Sequence, residues 1–168
     1  CTPACEAHQP VPGWNKMIIT ASRYHDFSAG HRVVGHENRC ALLHGHNYRV
    51  IFTCSCYEPS VLDAVGRVLD FAAIKSRLCI WLEREWDHRF LAWEEDELMH
   101  GLVYMKGTRF SPEALEDHIV WIPFNPTAEN IAKHLLLTVG PKQLEGTGVR
   151  LTKVIVEETR RCSAEASL

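Results

Sequence analysis

Cys40-Ala41-Leu42-Leu43-His44-Gly45-His46 is the stretch around which the rest of the chain is organised. If His44 opens a β-strand, side chains two apart share a face, so His44 and His46 offer two imidazoles to one ion. The residues that follow, Asn47 to Cys54, are rich in β-branched and aromatic types and predict a strand from about His46 to Tyr57. Upstream, Phe27-Ser28-Ala29-Gly30-His31 alternates so that Phe27, Ala29 and His31 lie on one face of an earlier strand. His31 then supplies a third nitrogen. Three neutral imidazoles with a fourth position open is the arrangement of catalytic zinc, whereas structural zinc usually closes with cysteines. A lone histidine on an apolar face is more often a hydrogen-bonded core residue, and a bare His-x-His arises by chance, so the spacing alone leaves both readings open.

The 168 residues, 46% hydrophobic and 23% charged, suffice for one globular domain with its own core, expected over residues 15–168. Residues 1–14, with Pro3, Pro10, Pro12 and Gly13, read as an irregular arm. A net charge of −3 gives no basic surplus for a nucleic-acid backbone or an anionic membrane, though a local basic cleft for a phosphorylated small molecule remains open. No apolar run approaches the roughly 18 residues of a membrane helix, and the N-terminus lacks the order of a secretory signal. The seven cysteines, Cys1, Cys5, Cys40, Cys54, Cys56, Cys79 and Cys162, show neither a disulfide framework nor a paired Cys-x-x-Cys. A soluble, cytoplasmic protein with reduced thiols is expected, Cys54 and Cys56 serving as small packing residues.

Local patterns place the remaining elements. Residues 15 to 31 read as a strand, joined through a connection at 32–43 to the second strand as a hairpin. Gly66 to Phe71 reads as a short strand handing over to a helix capped by Asp70, with Phe71, Ile74, Leu78, Trp81 or Leu82, and Trp86 on its apolar side. Residues 92–124, interrupted by Gly101, Gly107, Pro112 and Pro123, read as an extended loop. A second helix starts in Asn125-Pro126-Thr127-Ala128, with Pro126 at its first position and Ile131 and Leu135 on its apolar face, and stops at Gly140-Pro141. Val149 to Thr159 predicts a last strand with Val154, Val156 and Glu158 on one face. The class is α+β.

Six separated motifs resemble the 6-pyruvoyltetrahydropterin synthase and 6-carboxytetrahydropterin synthase family. They are Phe27-Ser28-Ala29-Gly30-His31, Cys40 to Tyr48, Leu69-Asp70-Phe71 with Lys75, Trp86-Asp87-His88-Arg89-Phe90-Leu91, Asn125 to Asn130, and Val154 to Thr159. They occur in the family's order and span roughly residues 16 to 160. Three residues between Cys40 and His44 is similar to the carboxytetrahydropterin synthases of the 7-deazaguanine (queuosine) route, since the pyruvoyl enzymes usually have a longer gap.

The resemblance implies a tunnelling fold (T-fold): a four-stranded antiparallel sheet with two helices on one face, three subunits closing a barrel, and trimers pairing into a hexamer. Active sites would then lie where subunits meet. It implies Zn2+ held by His31, His44 and His46, and a pterin triphosphate, 7,8-dihydroneopterin triphosphate, as substrate. Cys40 matches the family's proton acceptor, Asp87 and His88 its acid/base pair, and Glu158 the carboxylate that holds the pterin and joins the proton relay. Adjacent Asp87 and His88 are not expected to bond each other directly. Thr127 matches a pterin contact or serves as a plain helix cap. Lys106, Arg109, Lys153, Arg160 and Arg161 are available for the triphosphate. The expected activity is a zinc lyase releasing 6-carboxytetrahydropterin; the pyruvoyl synthase reaction and a non-catalytic zinc-containing binding or assembly module are the alternatives.

Overall fold

The computed structural model describes residues 18–57, 61–104 and 117–168; the arm at 1–14, Glu58-Pro59-Ser60, Lys106 and Arg109 lie outside them. In chain order come β1 (Ala21–His31), a 3-10 turn (Arg39–Ala41), β2 (His44–Cys56), helix α1 (71–85), β3 (Arg89–Trp93) and α2 (Glu97–Val103). They are followed by β4 (Ile119–Ile122), helix α3 (128–143), β5 (Val149–Thr159) and β6 (Cys162–Ser167). The sheet order is β4-β3-β1-β2-β5-β6. Strands β1, β2, β5 and β6 form the four-stranded antiparallel sheet that the resemblance implied, although β6 follows the strand expected to be the last. β3 and β4 extend that sheet in parallel from the β1 edge.

Residues 66–70 are not a strand: Asp63 accepts hydrogen bonds from the Val65 and Arg67 amides and an ion pair from Arg67, and these local bonds hold a turn instead of a ladder. The stretch 92–124, expected as a loop, carries α2 and β4, and Asp96 caps α2 through the Leu98 and Met99 amides.

Both long helices contain a widened π turn, at Lys75–Cys79 in α1 and Leu135–Val139 in α3. Each turn sets consecutive residues inward, Leu78 with Cys79 and Leu135 with Leu136. In α3 the π turn immediately precedes Gly140-Pro141, so the helix runs on to Gln143 where a stop was expected. A proline cannot donate to the ladder, and the loosened turn ahead of it accommodates that loss. Asp70 caps α1 by accepting from the Ala72 amide at 2.7 Å.

One core joins the helices to the sheet. Ile74, Leu78, Leu82, Ile131 and Leu135 are buried with Tyr48, Val50, Phe52, Val154 and Val156. Each such side chain contributes about 1.5–3 kcal/mol on removal from water. Phe71, expected on the inner side of α1, is instead exposed. Cys54 and Cys56 are buried, as their packing role required.

Gly140 touches this core directly. A Cβ there would lie 2.9 Å from Leu151 Cβ and 3.2 Å from the Leu135 carbonyl oxygen. Overpacking costs about 1–3 kcal/mol, against roughly 1 kcal/mol of helix propensity gained by alanine. Gly140→Ala is therefore expected to lower the melting temperature in thermal unfolding followed by circular dichroism.

Among the described residues no helix is long and apolar enough to cross a membrane.

Candidate metal centre and active site

The β1–β2 register builds the centre. It sets His31 opposite His44 and Ala29 opposite His46, with Phe27 opposite Tyr48. Because alternate residues share a face, His31, His44, His46 and Tyr48 converge on one side of the hairpin. One ligand atom from each of the three histidines lies within 4.8 Å of the others. The ring centroids are 4.5, 5.2 and 5.0 Å apart for His31–His44, His31–His46 and His44–His46. Gly45 lets the strands close here, since a Cβ on it would sit 2.9 Å from the Ala29 carbonyl oxygen. Gly45→Ala is expected to push β1 from β2 at the ligand pair and lower metal affinity, as titration with a chromophoric chelator would show.

Backbone carbonyls fix two of the tautomers. His31 Nδ1 donates to the Pro126 carbonyl at 2.7 Å, and His44 Nδ1 donates to the Leu42 carbonyl at 2.8 Å. Each ring then presents Nε2 with its lone pair free, the state a metal ligand requires. His31 is 1% exposed, and its Nε2 is a buried nitrogen with no hydrogen-bond partner. A buried polar atom left unpaired is costly, and a cation at the centre of the three rings would satisfy it. The residues fit a divalent metal.

Burial pushes the His31 pKa down to about 4, opposed by the Pro126 bond and helped by the other two imidazoles. His46 is lowered by the same burial and by His44. Burial thus favours the neutral ring in His31 and His46. The unfolded chain takes up a proton near pH 6.5 that folded His31 refuses until about pH 4. This contribution is intact above pH 6.5 and is lost as pH falls towards 4. Metal-free protein is expected to lose about 3 kcal/mol over that window in urea titrations at stepped pH, and bound metal should deepen the loss.

Tyr48 fills the space beside the triad, 5.8 Å from His31 and 5.5 Å from His46 between ring centroids. Its hydroxyl is buried without a partner, and burial, with the charges of Glu158 and Cys40, raises its pKa. Cys40 and Glu158 therefore both lie within electrostatic reach of this phenol. The sequence reading gave Tyr48 no role, although His44-x-His46-x-Tyr48 placed it on the ligand face. Cys40 is half-buried in the 3-10 turn.

Glu158 shares the inner face of β5 with Val154 and Val156, and its Oε1 lies 3.9 Å from His31 Nε2. The β5–β6 register slips between Glu157 and Thr159, at the position of Glu158. Burial raises its pKa, offset by His44 and reinforced by Glu129.

The side chains of Asp87 and His88 do come into ion-pair contact, contrary to expectation: His88 Nδ1 lies 2.9 Å from Asp87 Oδ2. His88 has φ 59°, a left-handed conformation uncommon in a residue other than glycine. The turn is pinned to β1, with Asp87 Oδ1 accepting from the Ser28 amide and the His88 amide donating to the Ser28 carbonyl. Burial would raise the Asp87 pKa, but the Ser28 amide and His88 together hold it below the usual carboxylate value. The imidazole of His88 is 82% exposed and is not one of the three that could share a metal. It borders two adjoining clefts, one with His46, Arg89 and His118, the other with Asp87, Glu158 and Arg160.

Thr127 is the N-cap of α3, its hydroxyl accepting from the Asn130 amide at 3.3 Å. Pro126 precedes the cap rather than opening the helix.

A 6-carboxy-5,6,7,8-tetrahydropterin synthase from Rickettsia bellii is 32% identical over 152 residues, spanning 88% of this chain and 99% of its own length. One from Rickettsia typhi is 33% identical over 149 residues, with the same coverage. Among solved structures, an uncharacterized protein from Wolinella succinogenes matches with a TM-score of 0.75 at 25% identity, covering 90% of this chain and 99% of that one. The Caenorhabditis elegans 6-pyruvoyl tetrahydropterin synthase shares the fold, with a TM-score of 0.60 at 21% identity over 90% of this chain and 96% of that one. The family model described as 6-pyruvoyl tetrahydropterin synthase matches residues 20–167, and the chain belongs to that family.

Proposed function

We propose that the protein is a zinc lyase converting 7,8-dihydroneopterin triphosphate and one water to 6-carboxy-5,6,7,8-tetrahydropterin, acetaldehyde and triphosphate, the water supplying the second carboxylate oxygen. The observation that carries the metal is the buried, unpartnered Nε2 of His31 facing two further imidazoles. The carboxy product is supported by the curated relatives' names and by the three-residue gap between Cys40 and His44.

His31, His44 and His46 would hold zinc, which when bound supplies a Lewis acid that polarises the hydroxyl oxygens of the substrate's side chain. Cys40 removes a proton from the carbon bearing a hydroxyl, as thiolate. Glu158 accepts hydrogen bonds from the pterin's amino and ring N–H groups, and its semi-buried carboxylate holds the ring in place. His88 exchanges protons with the side-chain oxygens, its ring oriented by Asp87. Thr127 stays at the margin of this set as the cap that seats α3.

The imidazole of His88 is 82% exposed in a single subunit, and a second copy of the chain packed over it would complete the site. Cys40→Ala and His88→Ala, each inactive alone, are then expected to regain part of the activity when refolded together. Failure of every such mixture would place the whole site within one subunit.

The product test is incubation with the triphosphate and measurement of acetaldehyde by a coupled alcohol dehydrogenase. Acetaldehyde in step with substrate loss supports the carboxy reaction. Triphosphate release without acetaldehyde identifies the pyruvoyl reaction, and intact substrate favours a non-catalytic module.

A further inference from the structure

Arg32 follows the proposed ligand His31 but points elsewhere. Its side chain is 13% exposed and its guanidinium makes two bonds, Nη1 to Asp96 Oδ1 at 2.9 Å and Nε to the Ala41 carbonyl at 3.0 Å. Asp96 is 2% exposed, and the same Oδ1 accepts from the Leu98 and Met99 amides at the start of α2. A carboxylate buried this deeply needs its cation, and a planar guanidinium fixes the angle between its own bonds. The place of the Ala41 carbonyl is therefore set from Asp96. The next residue, Val33, donates its amide to the Cys40 carbonyl at 2.8 Å. Residues 32 and 33 thus grip the two consecutive peptide groups that follow the Cys40 Cα, Cys40–Ala41 and Ala41–Leu42.

We propose that Arg32 is a positioning residue for Cys40, and that the Asp96 end of α2 is the fixed point against which it works. The helix within 92–124 thereby anchors the turn that carries the thiol. The proposal rests on reading Cys40 as the proton acceptor. Lysine at position 32 could keep the ion pair with Asp96, but its single ammonium cannot also span to the Ala41 carbonyl. The turn would be freed while the buried charge stayed matched.

Arg32→Lys is compared with the wild type in the zinc-loaded protein, with Cys40→Ala as control. Three quantities are measured: kcat and KM with 7,8-dihydroneopterin triphosphate, bound zinc, and the rate of iodoacetamide alkylation at Cys40 by peptide mass. Exposed Cys162 serves as internal reference. The expected result is a fall in kcat of about tenfold or more with KM changed less than about twofold, since displacing a reacting group by an ångström costs that much. The Cys40 alkylation rate should change at least about threefold relative to Cys162 with zinc retained, a shift a merely structural role would not produce. An unchanged Cys40 rate overturns the proposal, whatever happens to kcat. Loss of zinc in proportion to activity also overturns it, because Arg32 would then act through His31. A changed Cys40 rate together with full activity in Cys40→Ala upholds the positioning role and removes the catalytic one from Cys40.

Discussion

Cys40→Ala is expected to reduce turnover by about 10³-fold while leaving the metal in place, the effect of deleting a general base. That loss corresponds to roughly 4 kcal/mol of barrier. The side chain is half-buried in a short turn and belongs to no part of the hydrophobic core, so its removal should hardly disturb folding. Cys40→Ser separates volume from chemistry. A serine hydroxyl occupies nearly the same space but is far too weak an acid to supply an anion, so this variant should be as inactive as alanine. Both are measured by initial rates beside zinc content; a serine variant within about tenfold of wild type would show that the position needs only a polar group.

His46→Ala carries the second large effect. His31 is buried and its loss would leave a hole, but His46 is half-exposed at the open side of the triad. The fold should survive its removal. Removing an outer partner of a ligand already costs about 10–100-fold in metal affinity, and removing the ligand itself should exceed about a hundredfold. Competition with a chelator is expected to show that loss, with turnover vanishing at limiting zinc. Excess zinc should restore only part of it, because two nitrogens hold the ion less rigidly than three.

Much of this site was legible in the chain because strands write a period of two. His44 and His46 on one strand, and Phe27, Ala29 and His31 on another, needed only antiparallel pairing with His31 opposite His44 to converge, and that register is the one formed. Asp70 as a cap and the inner residues Ile74, Leu78, Ile131 and Leu135 were readable for the same kind of reason, since capping and helical spacing are local. What escaped was decided by contacts distant in sequence or by departures from a regular period. β3 and β4 are short strands that exist through parallel pairing to β1 and to each other, so isolated windows of Arg89–Trp93 and Ile119–Ile122 carried little signal. The continuation of α3 through Gly140-Pro141 depends on a π turn, whose signature mimics a slightly displaced helical pattern. The Asp87–His88 contact accompanies a positive φ at His88, a conformation uncommon outside glycine even though histidine adopts it more often than most residues, so the sequence alone did not place it here. The Arg32–Asp96 pair joins residues 64 apart in sequence.

The measurement that bears most directly on the central claim, that His31, His44 and His46 form a catalytic zinc site, is activity against metal content in protein stripped by chelation and then titrated with zinc. The expected result is no turnover of 7,8-dihydroneopterin triphosphate by the stripped protein, with recovery rising linearly to a plateau at one zinc per chain. Full turnover by protein shown to be metal-free would contradict the account, leaving the three imidazoles as a buried structural cluster.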